Sequence, residues 1–248
     1  MCDDRAVSEI LGYSLVFTLV ITSVAFISVG GLAGYQSAEN FERQTNSQKA
    51  FDVMHNNLED IYYQGAPSRG TEIDLGETSL TLADPISLNV TLNGTNNEEN
   101  FTITSRPLVQ SLGDGNKLVY EAGAVFQTTR DGGVVRQQPP MLLRNNTAHI
   151  IAANISEPAA RSVSSGTVLI RAQSQDRFLR YQNTSRQKNV SLTLNITSPR
   201  SELWYEYLDN TATFRGDCTL SGDFVSCGPV NLEQGYLVEV RLAFIFDR

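Results

Sequence analysis

The sequence predicts an α+β chain. A long N-terminal transmembrane helix continues into an amphipathic helix, and an antiparallel β-rich, sandwich-like domain with one short helix follows. Three observations carry that expectation. No charged residue occurs from Ile10 to Ala38; Phe51, Met54, Leu58 and Ile61 recur at three- and four-residue spacing; and from Thr71 onward apolar and polar residues alternate between Gly- and Asn-rich turns. With 248 residues, of which 41% are hydrophobic, the chain can bury one good-sized core and still carry an appendage.

The uncharged run "ILGYSLVFTLVITSVAFISVGGLAGYQSA" is long enough, at about 1.5 Å of rise per helical residue, to cross a hydrocarbon core of about 30 Å. A membrane span over about residues 10–35 is therefore expected, with membrane lipid as its surroundings. A cleaved secretory signal is the alternative, because "GGLAGYQSAE" offers small residues at the far end of the run. Against it, the leader is short and Asp3 and Asp4 outweigh Arg5, where such signals start positively charged. Glu9, in the first helical turn, suits the positive end of the helix dipole.

Beyond the span the helical period persists to Gln64. "ENFERQTNSQ" is polar all round, whereas the stripe from Phe51 to Ile61 lies on one face and is expected to pack on the next domain. "GAPSRG", residues 65–70, ends the helix by composition, since Gly follows the last periodic residue and Pro cannot continue it. The expected organisation is a leader over 1–6, an N-terminal helix over 7–64 and a β-rich domain over 71–248.

Within that domain "SLTLA", "ISLNVTL", "FTIT", "KLVYE", "AVFQTT", "HIIAANI", "TVLIRAQS", "NVSLTLNIT" and "GYLVEVRLAFIF" read as strands, separated by "NG", "GDG", "DGG" and "SGD" turns. "SPRSELWYEYLDN" predicts the short helix, with Ser198 as N-cap and Pro199 in its first turn. Trp204 is expected in the core, anchoring that helix on a sheet.

A net charge of −8 without a basic cluster argues against nucleic acid as a partner. Only Lys49, Lys117 and Lys188 are lysines among nineteen cations. That balance suits a protein kept soluble in concentrated salt, and a GC-rich genome explains the arginine bias equally well. Cys218 and Cys227 flank "TLSGDFVS", a turn between two short strands that can bring their sulfurs together in an oxidising compartment; two free buried thiols are the alternative. Eight Asn-X-Ser/Thr sequons follow the span, at Asn89, Asn93, Asn100, Asn145, Asn154, Asn183, Asn189 and Asn195. They are candidate N-glycosylation sites on the far side of a membrane.

The two histidines, His55 and His149, have no Cys, His or carboxylate at metal-ligand spacing. "GDG" and "DGG" lack the alternating acidic ligands of a calcium loop. No Gly-x-Ser-x-Gly elbow or Gly-rich phosphate loop is present. The expectation is no enzyme, no metal and no cofactor.

"DRA" followed by "VSEILGYSLVF" resembles the class III leader of archaeal type IV pilins and archaellins. "QKAFDVMHNNLEDIYYQGAPSRGTEIDL" and "LVYEAGAVFQTTRDGGVV" are similar to a haloarchaeal family of pilin-like surface proteins of largely unassigned function. The resemblance implies a prepilin peptidase as processing partner, cutting between Ala6 and Val7 or between Arg5 and Ala6. It implies a span kept on the mature protein, an extracellular C-terminal domain, and other pilin-like subunits as filament partners. Glu9 would then neutralise the new amino terminus of a neighbouring subunit. In bacterial-type pilins that glutamate stands fifth in the mature chain; here it would stand third or fourth. Gly30, Gly31 and Gly34 would allow close approach between helices. The expected function is an accessory subunit of a pilus-like filament. The rival is a single-span surface protein that never polymerises and uses its β-domain for adhesion or ligand binding.

Overall fold

The computed structural model describes residues 4–94, 98–144, 146–156, 161–183 and 190–247. Helix α1 (Asp4–Gln64) comes first, followed by β1 (Ser68–Asp74), β2 (Ser79–Leu82), β3 (Ile86–Asn93) and β4 (Glu98–Ser105). Next are β5 (Leu108–Gly113), β6 (Asn116–Glu121), β7 (Ala124–Thr129), β8 (Gly132–Gln137), β9 (Met141–Arg144) and β10 (Thr147–Ile155). The chain continues through β11 (Ser162–Ser164), β12 (Thr167–Asn183), β13 (Val190–Thr197), α2 (Ser201–Asp209), β14 (Cys218–Ser221), β15 (Phe224–Leu232) and β16 (Gln234–Asp247). The protein is therefore α+β, with one apolar N-terminal helix, a β-rich part and one short helix.

The strands form three sheets, where the sandwich-like expectation implied two. Their orders are β1-β12-β16-β10-β9, β11-β2-β5-β6-β7-β8 and β14-β15-β13-β3-β4. Among the described residues pairing is antiparallel with one exception: β10 runs parallel to β16, from Thr147 opposite Gln234 to Ile155 opposite Leu242. A hairpin cannot join parallel neighbours, and here everything from β11 to β15 intervenes. Local alternation marks a strand but says nothing about its neighbour, so the sequence carried no sign of this pairing.

Two compact units divide the chain, Met1–Asn46 and Ser47–Arg248. The second begins inside α1, earlier than the 65–70 boundary expected from composition. The reason is burial: Phe51, Met54, Leu58 and Ile61 are at most 2% exposed, in one core with Ile73, Leu80, Val168, Leu242 and Phe244. Each such side chain contributes about 2 kcal/mol relative to exposure. The helix ends where Gly65 adopts φ +71, open to glycine at no steric cost, and the Ala66 N–H bonds back to the Asp60 carbonyl at 3.2 Å.

A second core lies under the third sheet. Ile86, Leu88, Val90 and Leu92 of β3 and Val190, Leu192, Leu194 and Ile196 of β13 alternate inward, and α2 adds Leu203, Trp204 and Leu208. Helix α2 starts at Ser201, two residues later than expected. The Ser198 hydroxyl is not a cap for its first turn, because it donates to buried Glu121 and accepts the Arg200 N–H.

Candidate functional site

The N-terminal unit presents an apolar helix whose described side chains are exposed along Ile10–Ser28. Ile10–Ser28 are 19 residues long and apolar enough to cross a membrane, and none of them is buried. Ile10, Tyr13, Leu15, Phe17 and Phe26 are all more than half exposed and point to all sides of α1. A helix apolar all round is stable when something other than water surrounds it. Three of its polar side chains bond back to the helix: Thr18 Oγ1 donates to the Ser14 carbonyl at 2.7 Å, Thr22 Oγ1 to that of Thr18 at 2.7 Å, and Ser23 Oγ to that of Leu19 at 2.8 Å. Such back-bonding pairs these three hydroxyls within the helix, as an apolar medium requires. By length and composition this segment fits a membrane anchor or a signal sequence.

Arg5, Ala6, Val7 and Glu9 lie on the backbone of α1, which also runs unbroken through Gly30, Gly31 and Gly34. The side chains at these positions are outside the described set.

In the β-rich unit, Cys218 and Cys227 face each other across β14 and β15 and are joined as a disulfide. His55 and His149 serve packing. Nε2 of His55 meets the Gln138 carbonyl at 3.1 Å, and the His149 ring lies 4.3 Å from that of Tyr236. Among the described residues no cluster of His, Cys, Asp and Glu has metal-site geometry.

The sequons separate by burial. Asn93 at the end of β3 and Asn100 on edge strand β4 are exposed. Asn89 and Asn195 oppose each other inside the third sheet and are partly buried, as is Asn183 at the end of β12. The first two belong to a row of uncharged polar residues, Thr102, Asn89, Asn195, Ser226 and Thr219, that crosses all five strands. Asn145 and Asn189 lie outside the described residues. Asn154 is the most buried of the described sequons: it is only 7% exposed, and its Nδ2, the atom that glycosylation would modify, donates to Glu239 Oε1 at 2.8 Å.

That contact opens onto the most organised polar cluster in the unit. Glu239, 3% exposed on central strand β16, accepts from Asn154, from Arg180 Nε at 2.8 Å and from Arg241 Nε at 3.0 Å. Burial pushes the Glu239 carboxyl up, but the hydrogen bonds from Asn154, Arg180 and Arg241 outweigh it and hold the group below its ordinary range. Both guanidiniums also stack on the Phe178 ring, at 4.6 and 4.8 Å from its centre. The Asn154 Oδ1 is buried without a hydrogen-bond partner, a state that costs about 1–3 kcal/mol. Sequence reading took Asn154 only as a sequon and passed over Glu239. The available signal was the charged pair in "LVEVRLAF", where Glu239 and Val240 are both buried and the strand's alternation breaks.

The fold and these surfaces define a class: one apolar N-terminal helix joined to a three-sheet β-rich unit. The chain belongs to the family described as "Family of unknown function (DUF7289)", which it matches over residues 5–243. No curated protein and no solved structure matches it.

Proposed function

We propose that this protein is a pilin-like, membrane-anchored surface subunit, processed by a prepilin peptidase and serving as an accessory component of a type IV pilus-like filament. The observation that supports the reading most directly is the apolar surface of Ile10–Ser28, bare on all sides, set immediately after the leader-like "DRAVSE". A peptidase that cuts before Val7 or Ala6 removes the leader and leaves the anchor. Lateral contacts through Gly30, Gly31 and Gly34, with Glu9 opposite a neighbour's amino terminus, would then hold subunits together. The helix would cross the membrane once, with the leader cytoplasmic and the β-rich unit outside the cell. Its activity is assembly, without turnover of a substrate.

The test is mass spectrometry of the mature N-terminus from extracted membranes, with and without the prepilin peptidase. A start at Val7 or Ala6 that depends on the peptidase supports the reading. An intact leader in both strains refutes it in favour of a solitary anchored protein, and a start near Ser37 refutes it in favour of a removable secretion signal. The solitary reading has one observation on its side, the polar cluster around Glu239, which filament assembly does not call for.

A further inference from the structure

Three rows of side chains cross the outer face of the third sheet without a charge among them. Thr104, Ser87, Thr197, Phe224 and Ser221 stand side by side in the first, Thr102, Asn89, Asn195, Ser226 and Thr219 in the second, and Asn100, Thr91 and Thr193 in the third. Along the strands they alternate with Leu88, Val90, Ile103, Leu194, Ile196 and Val225, which are at most 3% exposed in the core beneath, so the rows point away from it. Asn100, Thr102 and Thr104 at one edge and Thr219, Ser221 and Phe224 at the other are exposed. In this chain 19% of residues are charged, yet by register a charge returns only one row further on, at Glu98 opposite Asn93. The Asn-X-Thr motifs at Asn89, Asn100 and Asn195 follow from the same arrangement: Asn and Thr two residues apart share the outer face while Val90, Phe101 and Ile196 turn to the core.

The second observation is that these polar groups are not spent on the protein. Among the described residues, one side-chain hydrogen bond starts from the rows, from Thr219 Oγ1 to the Ser226 carbonyl at 3.4 Å. Asn195 Oδ1 is buried and out of a ligand's reach; the exposed hydroxyls and carboxamides remain. Such groups both donate and accept, as sugar hydroxyls do. An acidic polymer finds no cation here, a metal ion no carboxylate, and a protein partner little of the aromatic, Met and Arg content of an interface core. The one aromatic, Phe224, presents an exposed ring between Thr197 and Ser221, suited to the C–H side of a sugar ring. No other side chain in the rows is longer than asparagine, so the relief is low. With strands about 4.8 Å apart, an extended chain laid across them meets several of these groups at once.

We propose that this face binds an extended, neutral polysaccharide chain, laid across the strands with one sugar ring on Phe224 and its hydroxyls bonded to the exposed Thr and Asn side chains. The site needs neither filament assembly nor leader processing, and it fails or stands separately from the reading above.

The test is titration of the full chain, in a detergent without a sugar headgroup, with cellohexaose, maltohexaose, hexagalacturonate and glucose as probes. Cellohexaose, extended and neutral, is expected to bind most tightly. Glucose should bind about tenfold or more weakly, because each hydrogen bond adds little and affinity comes from several along one chain. Maltohexaose, whose linkage curls the same units, and hexagalacturonate, charged on every unit, should each bind about fivefold or more weakly. Phe224→Ala removes the ring and Thr197→Glu sets a charge beside it; both residues are exposed, and each variant should weaken cellohexaose by about fivefold or more. Val134→Glu, at an exposed position on β8 in another sheet, should leave binding unchanged. Circular dichroism verifies the fold of each variant. Cellohexaose no tighter than glucose, a folded Phe224 or Thr197 variant that binds as well as the parent, or an equal loss in the Val134 variant overturns the site. Maltohexaose equal to cellohexaose overturns the extended-chain assignment, and hexagalacturonate equal to it overturns the neutral one.

Discussion

The indole Nε1 of Trp204 donates to Oε1 of Glu121 at 2.7 Å, and neither residue is exposed to solvent. The same carboxylate accepts from the Ser198 hydroxyl at 2.6 Å and pairs with Arg200, so one buried charge ties α2 and the turn before it to the end of β6. Removing it strands a largely buried guanidinium and two donors. Glu121→Ala should lower stability by about 3–5 kcal/mol, read as a shift in the urea midpoint of the full chain in detergent. Glu121→Gln keeps an acceptor and should cost less.

Tyr62 and Tyr120 share a hydrogen bond inside the core beneath α1. Burial, the largest cause, pushes both phenols well above their ordinary value, and the proximity of Tyr120 adds to the effect on Tyr62. The folded state therefore keeps protons that the unfolded state releases at about pH 10. Their contribution is fully present below that pH and is lost as pH rises beyond it. Denaturant midpoints should fall from about pH 10 upward, and the double variant Tyr62→Phe, Tyr120→Phe should flatten that fall.

Leu58 is 1% exposed on α1, well before the helix ends at Gln64. If residues from Ser47 onward form part of the β-rich unit, Leu58→Ala should cost about 3 kcal/mol through lost burial and a residual cavity. Val53, exposed on the same helix, provides the comparison: Val53→Ala should shift stability by less than about 0.5 kcal/mol. Thermal melting of both variants side by side checks the difference.

Under the surface-subunit reading, glycan should be found at Asn93 and Asn100, whose side chains reach solvent, and not at Asn154, whose amide is buried against Glu239. Glycopeptide mass spectrometry on protein from the native host decides this. Glycan at Asn154 would mean that modification precedes the folding of β10 against β16.

What was legible in the sequence follows the range of the interactions involved. The stripe from Phe51 to Ile61 and the alternation of Ile86, Leu88, Val90 and Leu92 are set by local period, and burial follows both. Ser198 was misread because its hydroxyl had two plausible partners, a helix start and Glu121, and only the fold brings the second within 2.6 Å. Asn154 shows the same limit, since a three-residue motif carries no information about what lies over it. The cluster around Glu239 draws on β10, β12 and β16, far apart in sequence, so only the residue types of Arg180, Glu239 and Arg241 were visible, without their meeting.

The place of β16 sets the order in which the first sheet can be completed. This strand, the latest in chain order, pairs with β12 on one side and β10 on the other. Until it arrives, the long-range pair of β1 with β12 and the hairpin of β9 with β10 are two separate antiparallel pairs, each with an open edge where the shared neighbour belongs. The join between the two halves is thus closed last, and closing it is slow because the chain between β10 and β16 must first be gathered in. During synthesis both edges wait exposed, each a template for a strand from another chain. A chain cut before Gln234 would lose the join between the two halves of the sheet, a fault far larger than the fourteen residues of β16 themselves.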